Sequence, residues 1–463
     1  MKPWQRLSAY YRSADVRARI AEYCGGVPGA PEAFSSWDIA GYGGRHALHE
    51  PDGAPVSAPS REFGVLLDQG VDLCRSLADC EGAVLQLDVD YVSPRDQADP
   101  YRDPASCFAR VEPIHDAVLE AFVRYGIRPV TVMTGRGYHF TLRAPLGSPF
   151  HADLVAIGSP PASLRARYAA VVPPGTVPAM GRAHDGAGRL LEHLAHEVVR
   201  GLRGRAAIPV TVADVAPPGG GPFVCLDLTA YADPLFERHA RCPFSGNQKA
   251  SLADIAPERP FVITLPRERG DRMDELLRER EHPGHAGVRA GRASALIPDV
   301  HAGRAWVEDY RRSRLARFHL EFDAGPEVAH EAWPYTYDSL DLQTLPACAR
   351  LALESPNPKL LVPVHLRTVA LALWGLGWHP RSVAALIRSR YEKDFGWGRL
   401  WQRYDAAARA EYYVRTFCGA VTDGLEDPAG FTCESQALRG VCPSGGCGWD
   451  LGRLLPAVTT TTA

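Results

Sequence analysis

Asp88 and Asp90 stand two residues apart in Gly82–Tyr91, GAVLQLDVDY. On an extended strand alternate side chains share a face, so Leu85, Leu87 and Val89 point one way and Gln86, Asp88 and Asp90 the other. Two carboxylates side by side repel unless a cation sits between them, and hard oxygen donors suit Mg2+ or Mn2+. A second apolar run, Phe223–Ala230 (FVCLDLTA), sets Asp227 on the face away from Val224, Leu226 and Leu228. Three carboxylates on adjacent strands can hold two metals roughly 3.5–4 Å apart, as in-line phosphoryl transfer requires. A D-x-D pair taken alone equally fits the solvent-facing end of a strand.

Thr134-Gly135-Arg136-Gly137 joins two strand-like runs, the second of which carries His139. Glycines flanking an arginine let the backbone approach a phosphate, with Arg136 and the Thr134 hydroxyl as donors and His139 within reach. By itself the run also fits a structural hairpin, and the G-x-x-x-x-G-K-[ST] phosphate loop is absent. Just past Asp227, DPLFERHARCPFSGNQKA brings Arg238, Arg241 and Lys249 together, cations that would balance a triphosphate. Only four of the 51 basic residues are lysines, so Lys249 stands out from an arginine background.

Of eleven cysteines, Cys24, Cys74, Cys80, Cys107, Cys225 and Cys242 lack ligand-like spacing and are expected as small core residues. Cys433, Cys442 and Cys447, with Cys348 far upstream, lack the C-x2-C pairing of zinc ribbons. Spacing alone leaves zinc and an iron–sulfur cluster both open.

The elements that must position these groups follow from periodicity. Strand-like runs alternate with helices from residue 61 to 142, including a helix at Ile114–Tyr125. Residues 143–180, rich in Pro, Gly and Ala, read as loop, and a helix follows at 187–201. His193 and His196 on that helix do not form an H-E-x-x-H site and read as part of a solvated face. Residues 266–340 are charged and read as a connector holding one basic helix, Arg304–Phe318. From about 341 the composition turns to helices with Trp374, Trp378, Trp397 and Trp401, which could stack bases or fill a core.

The motifs resemble the archaeo-eukaryotic primase superfamily, specifically the small catalytic subunit, across residues 80–250. The resemblance lies in an hhhDhD strand (LQLDVD), an S/T-G-R-G-x-H hairpin (TGRGYH), a later hD strand (CLD) and an R/K-x-PFS-x-x-x-K stretch at Arg241–Lys249. It implies that Asp88, Asp90 and Asp227 bind the catalytic Mg2+ or Mn2+. It implies too that Thr134, Arg136, His139, Arg238, Arg241, Ser245 and Lys249 hold the incoming nucleoside triphosphate. The zinc knuckle of that family has no counterpart, since only Cys107 lies between Asp90 and Thr134.

Residues 341–450 resemble the C-terminal iron–sulfur domain of the primase large subunit, in Pro346-Ala-Cys348, the arginine helix from Arg367 to Gly377, Tyr412 to Gly419 with Arg415, and Phe431-Thr-Cys433. The resemblance implies a [4Fe–4S] cluster on Cys348, Cys433, Cys442 and Cys447, leaving Cys418 aside. It also implies that Arg367, Tyr412 and Arg415 grip the initiating nucleotide and the primer 5′ end, so this region would serve starting chains more than extending them. A threonine, Thr416, stands where the family has a histidine.

The expected fold is α+β: a catalytic domain with a mixed sheet and helices over 1–265, a connector over 266–340, a mostly helical four-cysteine domain over 341–455 and a tail at 456–463. Hydrophobic residues at 46% and charged residues at 23% fit a globular protein, and a net charge of −3 requires any nucleic-acid surface to be built from local basic clusters. The N-terminus has no apolar core of a signal peptide, and no run reaches the ~18 apolar residues of a membrane span, so a cytoplasmic location without membrane attachment is expected. The expected function is a DNA primase making short primers de novo on single-stranded DNA, with a helicase or other replication protein as candidate partner. The alternatives are a primer-extending polymerase of a repair or mobile-element system and a catalytically silent nucleic-acid-binding module.

Overall fold

The computed structural model describes residues 2–50, 53–171, 177–354, 358–393, 395–443 and 446–455; the expected tail at 456–463 lies outside them. The fold is α+β. The strand Gly82–Val92 is the central element, eleven residues with the alternation expected of it. Leu85, Leu87 and Val89 are fully buried on one face. It pairs antiparallel with Gly137–Pro145 on one side and Phe223–Asp227 on the other. These three form the middle of a six-stranded sheet that Val130–Met133 and Leu265–Pro266 extend on one edge and Val210–Thr211 on the other.

Two long helices, Pro104–Arg124 and Val177–Leu202, pack against each other and against the central strand, covering its apolar face. The first begins at Pro104, with the Asp103 carboxylate accepting the Ser106 amide at 3.0 Å, so a proline and a cap set its start. A second, four-stranded sheet, built from Ile39–Tyr42, Val56–Ala58, Asp72–Ser76 and His239–Arg241, carries Asp72 and Arg241.

Three expectations are corrected. Residues 143–180 contain the helices Pro149–Ile157 and Ala162–Ala169 and the start of Val177–Leu202, because Phe150, Leu154, Leu164 and Tyr168 supply buried anchors that the prolines and glycines obscure. The expected basic helix is two, Arg304–Arg312 and Arg314–Asp323, since the Ser313 hydroxyl accepts the Ala316 amide at 3.0 Å and starts a new helix. His193 and His196 are buried rather than solvated; His196 Nδ1 lies 2.9 Å from the Asp423 carboxylate.

The expected connector does not stand apart. Leu276, Ile297, Trp306 and Tyr310 belong to the same core as the central strand, with Trp306 stacked on Tyr125 at 5.9 Å between ring centres. The helices Ala347–Glu354, Pro363–Gly375, Pro380–Tyr391 and Ala406–Thr422 surround a second core that also takes in Ala213, Val215, Phe318 and Phe322 from upstream. The helix Ala406–Thr422 belongs to both. Ala408 and Tyr412 face the first core, and Ala410, Val414, Phe417, Cys418 and Val421 face the second, a division that the 3.6-residue period makes on two sides of one helix. Trp374, Trp378, Trp397 and Trp401 pack partly buried against the second core. Among the described residues no helix is long and apolar enough to cross a membrane.

Candidate active site

Strand register assembles the site. Asp88 pairs with Asp227 on one neighbouring strand and with His139 on the other, so the three side chains form a row across one face of the sheet. Asp90 lies two residues further along the same face, opposite Gly137 and Cys225. His139 Nε2 is 3.5 Å from Asp88 Oδ1, and Gln86 Nε2 donates to the same oxygen at 2.8 Å. Arg136 donates to Asp90 Oδ2 at 2.6 Å, and Asp227 Oδ1 accepts the Thr229 amide at 2.8 Å.

The electrostatics separate the two neighbours. Burial, and then Asp90 and Asp227 beside it, push the Asp88 carboxyl well above the ordinary carboxylate range. Burial also works against charge on Asp90, but the Arg136 guanidinium outweighs it and holds that carboxyl below the usual range. Burial brings His139 down to about 4, so its ring is neutral at physiological pH. Lys249 is lowered by burial and then by Arg136, with Asp90 and Asp227 opposing.

The two glycines of TGRG serve close packing. A Cβ at Gly137 would lie 1.8 Å from the Val89 carbonyl oxygen, and one at Gly135 would lie 2.8 Å from Asn247 Nδ2. The second approach brings the TGRG turn against the PFSGNQK segment, so two motifs more than a hundred residues apart meet at one place. Arg280, from the stretch read as connector, donates to the carbonyls of Thr134 at 2.9 Å and Gly135 at 3.4 Å. Thr134 itself is buried.

The remaining expected phosphate ligands differ in availability. Arg241 pairs with the buried Asp72 at 2.7 Å and donates to the Gly246 carbonyl at 2.9 Å. Ser245 is fully buried, its hydroxyl accepting the Leu73 amide at 2.6 Å. Arg238 donates to Asp233 and, at 2.9 Å, to the Thr229 carbonyl. Lys249 has no ion pair among the described residues and reaches the field of Asp90 and Asp227. Asp214, just past the edge strand, also enters that field: burial raises its carboxyl, then Asp227 and Asp90 do.

Gln86, Asp72, Asp214, Asp233 and Arg280 were not picked out from sequence. Gln86 had a signal, since strand alternation already placed it on the face of Asp88. The others are joined to the site only by tertiary contacts.

As the side chains stand, no three His, Cys, Asp or Glu among the described residues converge on a single metal position. The donor chemistry nonetheless fits a divalent cation. Asp88 is crowded by two like charges on one sheet face, a repulsion that a cation between the carboxylates would relieve.

In the C-terminal region Cys348 begins the second residue of the helix Ala347–Glu354, and Cys433 opens the helix Cys433–Leu438. Burial, and then Cys442 and Cys447 nearby, raise the Cys348 thiol to about 11. The Ala347 and Trp449 amides lower the Cys447 thiol, while Cys433 Sγ lies 3.5 Å from the Trp449 carbonyl. Cys442 and Cys447 thus lie near Cys348, and Cys433 and Cys447 both approach the Trp449 backbone, but among the described residues no three of these thiols converge on one metal position. Cys418 is fully buried on the helix Ala406–Thr422, with burial raising its thiol.

The residues expected to hold the initiating nucleotide are enclosed. Arg367 is paired with Glu426 and lies 5.8 Å from the centre of the Phe431 ring. Arg415 is buried, 3.5 Å from Asp185 and 3.9 Å from Glu192. Tyr412 is buried, its hydroxyl has no hydrogen-bond partner among the described residues, and Asp227 lies in its electrostatic surroundings.

No family model matches the chain. No curated protein matches it either. Among solved structures it is similar to the polymerase domain of ligase D from Mycobacterium tuberculosis, in complex with DNA. The similarity covers 63% of this chain and 89% of that one, at 11% identity and a TM-score of 0.36. A likeness at that level assigns no residue a role.

Proposed function

We propose that this chain is a template-directed nucleotidyltransferase of the DNA primase type. The reading is carried by one observation: register places Asp88 between Asp227 and His139, with Asp90 on the same face and Arg136 bonded to it. Asp88, Asp90 and Asp227 would hold Mg2+ or Mn2+, which when bound would activate the attacking 3′-hydroxyl and neutralise charge on the departing pyrophosphate. Lys249 and His139 flank the row and would bind the triphosphate, the lysine as a cation and the neutral imidazole as a hydrogen-bond partner. Arg136, paired with Asp90, would exchange part of that bond for a phosphate oxygen. Arg238, whose Nε is buried with no hydrogen-bond partner among the described residues and which bonds the turn after Asp227, would be a further donor. Arg241 and Ser245 would act behind them, fixing the PFSGNQK segment through Asp72 and Leu73.

Cys348, Cys433, Cys442 and Cys447 would hold a [4Fe–4S] cluster, whose bound iron would tie together segments distant in sequence. Protein purified without oxygen would then contain iron and absorb broadly near ~400 nm; stoichiometric zinc without iron would overturn that assignment.

A primer-extending polymerase is the second reading. It is favoured by the enclosure of Tyr412, Arg415 and Arg367, all three buried and the two arginines paired with Asp185, Glu192 and Glu426. The deciding experiment supplies single-stranded DNA, labelled nucleoside triphosphates and Mn2+ or Mg2+, with and without a primer. Product without primer supports a primase; product only with primer supports the second reading. Asp88→Ala and Asp227→Ala should each abolish product while leaving the unfolding temperature intact. Near-normal incorporation by either variant would refute the active site.

A further inference from the structure

The helix Ala406–Thr422 presents Arg409, Tyr412 and Tyr413 on one side, the i, i+3, i+4 spacing of a single face. That side packs on the short turn Thr229–Ala232, which begins two residues after Asp227. Arg409 crosses from there to Asp233, donating through Nε at 2.6 Å and through a terminal nitrogen at 3.2 Å. Its guanidinium is also held 3.8 Å from the centre of the Tyr404 ring.

Asp233 has 1% of its surface exposed, and its carboxylate is shared. Arg238 donates to the same Oδ2 that the terminal nitrogen of Arg409 reaches, and bonds the Thr229 carbonyl with the same nitrogen. The amide of the same Thr229 donates to Asp227 Oδ1 at 2.8 Å, Arg238 is among the charges acting on Asp88, and its Nε is buried without a hydrogen-bond partner among the described residues. One carboxylate is therefore shared by two guanidiniums, one from the C-terminal helices and one bound to the turn that follows Asp227. Removing Arg409 would leave Asp233 buried with a single cation, drawing Arg238 fully onto it and away from the row.

We propose that Arg409 is a positioning residue: through Asp233 it sets Arg238 against the carboxylate row, so that the C-terminal helices take part in each nucleotide addition and not in starting chains alone. The proposal rests on the nucleotidyl-transfer reading and adds to it a fixed role for a helix outside the sheet.

The test is steady-state extension of a primed template by the full-length protein, with unfolding temperature measured alongside. Arg409→Ala should raise the KM for nucleoside triphosphate about tenfold, the size of one weakened charge-assisted contact, with kcat little changed. Arg409→Lys, which keeps the charge, should recover most of that loss. Arg409→Gln, of similar length without charge, should behave like the alanine variant and serves if that variant does not fold. Arg203→Ala removes a contact to the Gly424 carbonyl elsewhere on the same junction and should leave KM unchanged. An inactive wild type overturns both readings. An active wild type whose KM is unmoved by Arg409→Ala and Arg409→Gln overturns this one alone.

Discussion

The hydroxyl of Ser245 accepts the Leu73 amide at 2.6 Å and lies 3.5 Å from the Tyr11 hydroxyl, with no solvent exposure. The neighbouring Gly246 amide donates to Tyr11 at 2.7 Å, so the serine belongs to a closed polar knot between the N-terminal helix and the PFSGNQK segment. Ser245→Ala would leave the Leu73 amide buried without a partner, a cost of about 1–3 kcal/mol. Urea denaturation should show that loss, while the KM for nucleotide in the folded variant should change little. Lys249 behaves oppositely. It has no protein counter-ion among the described residues, so Lys249→Ala should leave stability intact and weaken nucleotide use roughly ten- to a hundredfold, the range for a lost charged hydrogen bond. Two residues of one short motif are thus separated by burial and bonding, which their spacing in the chain could not do.

Among the elements, the hairpin Val130–Pro145 and the central strand are joined as closely as backbones allow at Gly137. A methyl group there would meet the Val89 carbonyl at 1.8 Å. Gly137→Ala should therefore part the two strands that set His139 opposite Asp88, seen as loss of soluble protein or a large fall in unfolding temperature. These strands were legible in sequence because period-two alternation in LQLDVD and YHFTL needs no distant information. The helices at 149–157 and 162–169 were not, since Pro149, Gly158 and Pro161 mark their ends in the same letters that mark loops. The stretch 266–340 was hidden differently: its arginines suggest solvent, yet Arg280 and Arg289 are buried and bonded to backbone carbonyls. Helix pairing also carries a pH signature. Burial raises the Glu411 carboxyl to about 7 from its ordinary 4.5, against Arg381 and Arg415. The folded protein then holds that proton more tightly than the unfolded chain, so the contribution is complete below about 4.5 and is lost as pH rises through about 7. Glu411→Gln should flatten the dependence of unfolding temperature on pH across that window.

For the molecule as a whole, the junction between sheet and C-terminal helices is dense with charge and apolar contact. Arg189, buried, bonds Asp185 at 2.8 Å and both oxygens of Asp323 at 2.7 and 3.0 Å, and Arg415 approaches Asp185 and Glu192 from the other side. Ala213, Val215, Phe318 and Phe322 complete the second core. A chain ended at residue 340 would uncover these apolar groups and strip Asp233 of Arg409. It should aggregate or unfold at a markedly lower temperature, which light scattering and calorimetry would show. A soluble, normally stable fragment would mean that the two cores are independent. The four-cysteine region was visible from its thiols, but its attachment to the sheet was not, because the joining residues are spread from Arg167 to Arg439.

The double membership of the helix Ala406–Thr422 has a consequence for how the protein is made. A ribosome completes the carboxylate row when it has added Asp227, but the helix that braces that row follows roughly 180 residues later, or about 10–40 s at ordinary translation rates. During that interval the carboxylate face exists without its support, and Phe318 and Phe322 emerge with nothing to cover them. On the proposed reading, catalytic competence would wait until the helix Ala406–Thr422 has been made, and a chain stopped before it would be a substrate for chaperones and proteases.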